Sequence, residues 1–335
     1  MAAVTENIMS YLKREATLFD AELELAIPRG KQPWEVYGLI WEHVELGGKR
    51  LRPVMCKLAC EAVGGDGQKA VPAGAAIEIF HNFTLIHDDL EDNSDMRRGK
   101  PCLYKTYGVP LAINAGDGLF MMVWPELLKL DLPAEKILSC QRVLNAAFTE
   151  VLEGQAVELN WYRTKSFSIA EADYFRMVGG KTGALMRASC EVGAIVGGAP
   201  DEKKKVLADF GHALGLSFQI QDDVLNLAGS EAKYGKEIGG DISEGKRSLI
   251  TIHALAHASK DDAKRLQAIL ASCTKEKKEI AEAIRICRET GSIAYASEKA
   301  REIIETAKEG LMILNNNEAS RRLLQLADFF IYREV

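Results

Sequence analysis

Apolar side chains recur at helical spacing along almost every long segment of this 335-residue chain, which restricts it to helix-on-helix packing. Ile8, Leu12 and Phe19 mark a first amphipathic helix that ends near Pro28–Gly30. A second is expected from about Pro33 to Leu46, stopped by Gly47-Gly48, and a third from Leu51 to Val63, stopped by Gly64-Gly65. Others fall over roughly 71–92, 109–129, 134–162, 169–196, 202–228, 247–272, 275–290, 292–315 and 317–331. Alternating β-branched runs between turn signals are absent, so no strand is expected. No repeat, low-complexity tract or Ser/Pro-rich linker marks a boundary. The expectation is an all-α chain, one domain over 1–335 with ten or more helices. The segments at 71–92 and 202–228 are apolar over much of their surface, as central helices are.

Composition narrows the partners. A net charge of −6 argues against nucleic acid, which needs a basic surface. Any anion site is therefore local. The seven cysteines lack CxxC spacing, and Cys56 and Cys60, one turn apart, have no neighbouring His or Cys to complete a zinc site. They read as thiols of a reducing compartment. The N-terminal stretch has no apolar signal region, and no window reaches about 18 apolar residues. A cytoplasmic protein without a transmembrane segment is expected.

The chemistry concentrates in two acidic turns. Asp88-Asp89-Leu90-Glu91-Asp92 closes a long apolar run, and Asp88 and Asp92, four apart, share a helix face. Carboxylates that close repel, and a hard divalent cation removes the repulsion. Magnesium takes one or two carboxylates and fills its remaining positions with water and substrate phosphates. The second turn, Phe218-Gln219-Ile220-Gln221-Asp222-Asp223-Val224-Leu225-Asn226, again sets polar groups in an apolar helix, with Gln219, Asp222 and Asn226 on one face. Two such helices face to face would hold magnesium ions bridged by a diphosphate.

Basic residues accompany them. Lys49 and Arg52 lie three apart at a helix start, where backbone N–H groups favour anions. Met96-Arg97-Arg98-Gly99-Lys100 follows the first acidic turn, and Gly179-Gly180-Lys181-Thr182 and Lys236 to Lys246-Arg247 add more cations. Each cation about 4 Å from a phosphate contributes roughly 4 kcal/mol before desolvation, at an effective dielectric near 20. His81, seven residues before Asp88, lies within about 20° of it around the helix. With Glu78 it forms one Glu-x-x-His di-iron half-site, but the chain has no second, so that alternative is rejected.

In these motifs the sequence resembles the trans-isoprenyl diphosphate synthases, particularly short-chain geranylgeranyl and farnesyl diphosphate synthases of archaeal type. GGKRLRP at 47–53, HDDLEDNSDMRRGKP at 87–101, GGKTGAL at 179–185, FQIQDDVLN at 218–226 and GKEIGGDISEGKRS at 235–248 carry the resemblance, in the family's order. It implies a helical bundle around a central cavity, the isoprenoid synthase fold, and a homodimer. Asp88, Asp92 and Asp222 would be the main magnesium ligands, with three ions per site. Arg97, Lys181, Thr182, Gln219, Asp223, Lys236 and Lys246 would grip an allylic diphosphate (dimethylallyl, geranyl or farnesyl). Lys49, Arg52, His81 and Arg98 would hold isopentenyl diphosphate. The family's second motif usually ends in Asp where this chain has Asn226, which is left out of the ligand set.

The implied reaction needs no protein nucleophile: ionisation of the allylic diphosphate, attack by the isopentenyl double bond, and proton loss to pyrophosphate. In the family, residues four and five before the first aspartate, here Thr84 and Phe83, line the pocket for the growing tail. Phe83 points about 140° from Asp88 on an ideal helix, so the resemblance, not geometry, makes it the floor. Phe80, roughly 12 Å below Asp88 by helix rise, is another stop. A twenty-carbon product is expected, with farnesyl diphosphate as alternative. A terpene cyclase needs only one diphosphate pocket, which Lys49, Arg52 and Arg98 argue against. A non-catalytic synthase subunit need not keep both aspartate motifs.

Overall fold

The computed structural model describes residues 7–229 and 238–331, and these are helical over nearly their whole length. In order come α1 (Ile8–Ala26), α2 (Trp34–Val44), α3 (Leu51–Ala62), α4 (Val71–Glu91), α5 (Leu103–Tyr107), α6 (Val109–Leu127), α7 (Ala134–Thr164) and α8 (Glu171–Val178). A π-helical turn at Gly179–Gly183 leads into α9 (Ala184–Val196). Then follow α10 (Asp201–Ala228), α11 (Gly240–Ser243), α12 (Leu249–His257), α13 (Lys260–Ser272), α14 (Lys277–Glu289), α15 (Ser292–Gly310) and α16 (Glu318–Ile331).

The chain divides into two compact units. Unit 1 runs through Asn145 and includes Ala188–Ala208 and Ile313–Leu323; unit 2 comprises Ala146–Arg187, Asp209–Met312 and the chain from Leu324. In unit 1, α4 is the central helix, with α1, α2, α3 and α6 against it. Its buried residues lie on all sides, from Val71 through Ile77, Phe80 and Phe83 to Ile86, which explains the nearly continuous apolar run. In unit 2, α12 packs on α8, α13, α14 and α15.

Three departures from the expected elements have local causes. The segment 247–272 is two helices because the Ser259 hydroxyl accepts from Asp262 N at 3.1 Å and starts α13 afresh after extended Ala258. The segment 169–196 is helical throughout but widens at Gly179–Gly183. A strand pair does exist, β1 (Met96–Arg97) against β2 (Lys100–Pro101), closed by Arg98 and Gly99 at φ 52° and 81°. Those angles suit a two-residue turn with both central residues left-handed. Strands of two residues leave no alternating pattern to detect.

The turn before α3 is pinned from beneath. Arg50, left-handed at φ 47°, buries its guanidinium, which donates to Glu78 Oε1 at 2.8 Å, Asp20 Oδ1 at 2.8 Å and Val44 O at 3.3 Å. Glu78, from the rejected di-iron half-site, thus serves as a buried counter-ion. Removing one partner of a buried pair leaves an uncompensated charge. Glu78→Ala should lower the unfolding free energy by about 3–5 kcal/mol in urea titrations. A loss under about 1 kcal/mol would show that Asp20 alone compensates Arg50.

Candidate active site

In unit 1 the first acidic turn ends α4. Asp92 N donates to Asp88 O at 2.9 Å, which confirms that the two carboxylates sit one helical turn apart. Asp88 is half-buried and Asp92 exposed, whereas Asp89 is buried. The β1–β2 hairpin folds Arg97 back onto this turn. Arg97 Nε donates to Asp89 Oδ1 at 2.7 Å, Nη2 also bonds Asp89, and Nη2 lies 3.5 Å from Asp88 Oδ2. Burial raises the Asp89 carboxyl above its ordinary range, and Arg97 pulls it back. Asp89 therefore holds Arg97, with Asp88 half-buried beside it and Asp92 exposed at the end of the helix.

The same hairpin turn lays Arg98 over Gly48, where a Cβ would come within 2.9 Å of Nη2. Arg52 Nη1 lies 3.1 Å from His81 Nε2. Burial and the charges of Arg52 and Arg98 keep His81 well below the usual imidazole range, so it is neutral and accepts from Arg52. Arg52 Nε is buried with no hydrogen-bond partner among the described residues.

In unit 2 the second group gathers around the π-helical turn. Its glycines let three backbones touch: a Cβ on Gly154 of α7 would meet Lys181 N at 2.4 Å, and one on Gly215 of α10 would meet Gly183 Cα at 2.8 Å. That approach places Lys181 Nζ 2.6 Å from Glu158 Oε2 and the Thr182 hydroxyl 3.4 Å from Gln219 Oε1. Asp223, buried, accepts from Lys246 Nζ at 2.8 Å, Gln219 Nε2 at 2.9 Å and Tyr174 OH at 3.3 Å. Burial pushes its carboxyl up to about 6 against the pull of Lys246. These residues line a small cavity of about 50 Å³.

Of the candidates, Asp88, Asp92, Arg97, Arg98, Lys49, Arg52 and His81 belong to unit 1, and Lys181, Thr182, Gln219, Asp222, Asp223 and Lys246 to unit 2. Lys236 lies outside the described residues. Asn226 is occupied: its Oδ1 accepts from Asp241 N at 3.0 Å, fastening the start of α11. The chain-length candidates form an aromatic cluster in unit 1. Phe83 lies 5.4 Å from both Phe80 and Phe120 and 4.7 Å from His87, ring centre to ring centre. The Thr84 hydroxyl donates to His81 O at 2.8 Å.

Sequence reasoning missed Glu158, Tyr174, Asp241 and Phe120, and named Arg247 only as one more cation. Glu158 follows Gly154 by one turn, a spacing that means something only once Gly154 is known to cross Lys181. Asp241 stands in the quoted Gly-rich segment; its raised carboxyl reflects burial first, with Glu244 and Asp222 adding to it. Arg247, buried, stacks on Phe167 at 4.2 Å and donates from Nε to Ser166 O at 3.2 Å, anchoring the chain beside Lys246.

Carboxylate turns and clustered cations in a mainly helical chain are features suited to polyanionic ligands. Residues 35–287 match the family described as Polyprenyl synthetase. The chain is 37% identical over 328 residues to the geranylgeranyl diphosphate synthase of Methanosarcina mazei, covering 98% of each. It is 39% identical over 333 residues to the short chain isoprenyl diphosphate synthase of Methanocaldococcus jannaschii, covering 98% of this chain and 97% of that one. The crystal structure of the geranylgeranyl pyrophosphate synthetase from Pyrococcus horikoshii matches with a TM-score of 0.93 and 38% identity over 98% of both chains. The chain belongs to the polyprenyl synthetase family and has its all-α isoprenoid synthase fold.

His43 gives the unit 1 site a pH signature. Burial, then the charges of Arg97, Arg98 and Arg50, lowers its imidazole to about 3 from an ordinary 6.5. The unfolded chain takes up the proton first, so stability is retained above about 6.5 and lost at about 1.4 kcal/mol per pH unit as pH falls toward 3. His43→Gln should flatten the acid limb of the stability–pH curve by that slope. An unchanged limb would show that His43 is not held neutral.

Proposed function

We propose that this protein is a geranylgeranyl diphosphate synthase, which condenses isopentenyl diphosphate with allylic diphosphates to a twenty-carbon product. The observation that carries the proposal is the pair of cation groups, Lys49–Arg52–Arg98 with neutral His81 and Lys181–Thr182–Gln219–Lys246, one for each of two diphosphates. The names of the Methanosarcina mazei and Pyrococcus horikoshii proteins support the twenty-carbon product over farnesyl diphosphate. Residues 1–335 then act as one synthase domain.

Asp88, Asp92 and Asp222 fit magnesium. Among the described residues no three His, Cys, Asp or Glu side chains close a protein-only cage, and magnesium takes few carboxylates and completes its shell with water and phosphate oxygens. When bound, it neutralises charge on the departing pyrophosphate. Lys181, Lys246 and Arg97 stabilise that same charge, while Thr182 and Gln219 orient the allylic diphosphate. Arg52, oriented by His81, holds isopentenyl diphosphate with Lys49 and Arg98. The isopentenyl double bond attacks the allylic cation, and pyrophosphate accepts the released proton. The apolar wall around Phe80, Phe83 and Phe120 keeps water from the cation.

Two structural features support the chain-length and homodimer assignments. Phe80, Phe83 and Phe120 close the tail pocket as one aromatic floor, with Thr84 leaving the wall above it open. Val109, Ile113, Met121 and Leu128 form an exposed apolar stripe along α6 and just beyond, suited to a homodimer contact. No helix among the described residues is long and apolar enough to cross a membrane, which suits a cytoplasmic enzyme.

Asp88→Ala and Asp222→Ala should each lower condensation turnover by about 10²–10³-fold or more with helicity intact by circular dichroism. Near-normal turnover in either would refute the metal assignment. Phe83→Ala should shift products beyond twenty carbons in chromatographic analysis. An unchanged distribution would place the floor elsewhere.

A further inference from the structure

A buried tyrosine lines the cavity of unit 2. Tyr174 lies on α8 one turn before Met177 and Val178, which share its face, and all three line the same cavity as Gln219, Asp223 and Lys246. The helix runs on into the π-helical turn, so one stretch of backbone carries Tyr174 at one end and Thr182 at the other. Both meet α10, Tyr174 at Asp223 and Thr182 at Gln219, one helical turn earlier.

The direction of each hydrogen bond in this circuit is fixed. Burial, then the charge of Asp223, holds the Tyr174 phenol well above its ordinary range, so it stays protonated and donates. Its proton goes to Asp223 Oδ2 at 3.3 Å. The other oxygen, Oδ1, accepts from Gln219 Nε2 at 2.9 Å and from Lys246 Nζ at 2.8 Å. A carboxylate oxygen offers two lone pairs, so these two donors fill Oδ1. The Gln219 amide is oriented in turn, because its oxygen accepts from the Thr182 hydroxyl at 3.4 Å. The division of labour is unequal: Oδ1 serves two residues assigned to the diphosphate, and Oδ2 serves the phenol.

We propose, resting on the synthase reading above, that Tyr174 is a positioning residue of the allylic pocket: its hydroxyl fixes the plane of the Asp223 carboxylate, so that a single oxygen sets both Gln219 and Lys246 for the diphosphate. A carboxylate turns about one bond, and a hydrogen bond at each oxygen defines where it stops. Without the phenol, Oδ2 of this buried group loses its donor, and leaving a buried acceptor unmade is costly. The relief available is rotation, which draws Lys246 or Gln219 toward Oδ2 and away from the geometry that grips the ligand. Tyr174 is 1% exposed, so it acts through Asp223 and not on the substrate itself. Lys49, Arg52 and Arg98 belong to unit 1, which makes isopentenyl diphosphate binding the internal control.

Tyr174→Phe keeps the ring and removes the hydroxyl. In steady-state condensation assays of the full chain, its KM for farnesyl diphosphate should rise about tenfold or more, while its KM for isopentenyl diphosphate changes less than about twofold. An unchanged allylic KM would overturn the proposal and leave the synthase reading intact. A rise in both KM values together would mark Tyr174 as structural only, and would overturn it as well. Calorimetric titration with pyrophosphate in excess Mg²⁺ needs no turnover, so it decides the matter even if no primer is extended. Tyr174→Phe should bind pyrophosphate about tenfold more weakly than the unaltered chain. Equal affinity, or no binding by the unaltered chain, would contradict the role given to Tyr174.

Discussion

Three of the cations proposed to hold a diphosphate are kept in place by carboxylates that are themselves buried. Arg97 rests on Asp89, Lys181 on Glu158 and Lys246 on Asp223. A chain of net charge −6 repels polyanions on average, and a bare cluster of cations would repel itself. Pairing these three with buried acids resolves both problems for them. The acid fixes the geometry of the cation and neutralises it until the ligand arrives. The proposed metal donors, Asp88, Asp92 and Asp222, are not among these buried carboxylates. Replacing an inward carboxylate would free a cation to move.

Two backbone devices serve this arrangement. The tight hairpin after α4 turns Arg97 toward the acidic turn and Arg98 toward Gly48 in four residues. The π-helical turn at Gly179–Gly183 widens the helix where Lys181 and Thr182 emerge, and its glycines allow α7 and α10 to approach closely enough to share those side chains. Both devices place neighbouring residues on different partners.

Much of this was legible in the sequence. Helical periodicity gave the class, and α4 read as central because its apolar residues run around the whole helix. The two acidic turns and their basic companions were visible as charges in apolar surroundings. What escaped depended on tertiary proximity. Glu158 looks like any helical glutamate until Gly154 is seen to cross Lys181. Tyr174 and Phe120 become site candidates only through Asp223 and Phe83. The break at Ala258-Ser259 rests on one serine cap within an otherwise helical pattern. Glu78 had a misleading signal: its spacing to His81 suits a metal, yet its oxygen is committed to Arg50.

The central claim, that two diphosphates are condensed with extension of a prenyl chain, is tested most directly by mass analysis of products from the purified protein. Given magnesium, isopentenyl diphosphate and each of the dimethylallyl, geranyl and farnesyl primers, the protein should yield the twenty-carbon diphosphate with stoichiometric release of pyrophosphate. Failure to consume isopentenyl diphosphate with any primer, or release of a cyclic hydrocarbon from the primer alone, would contradict the account.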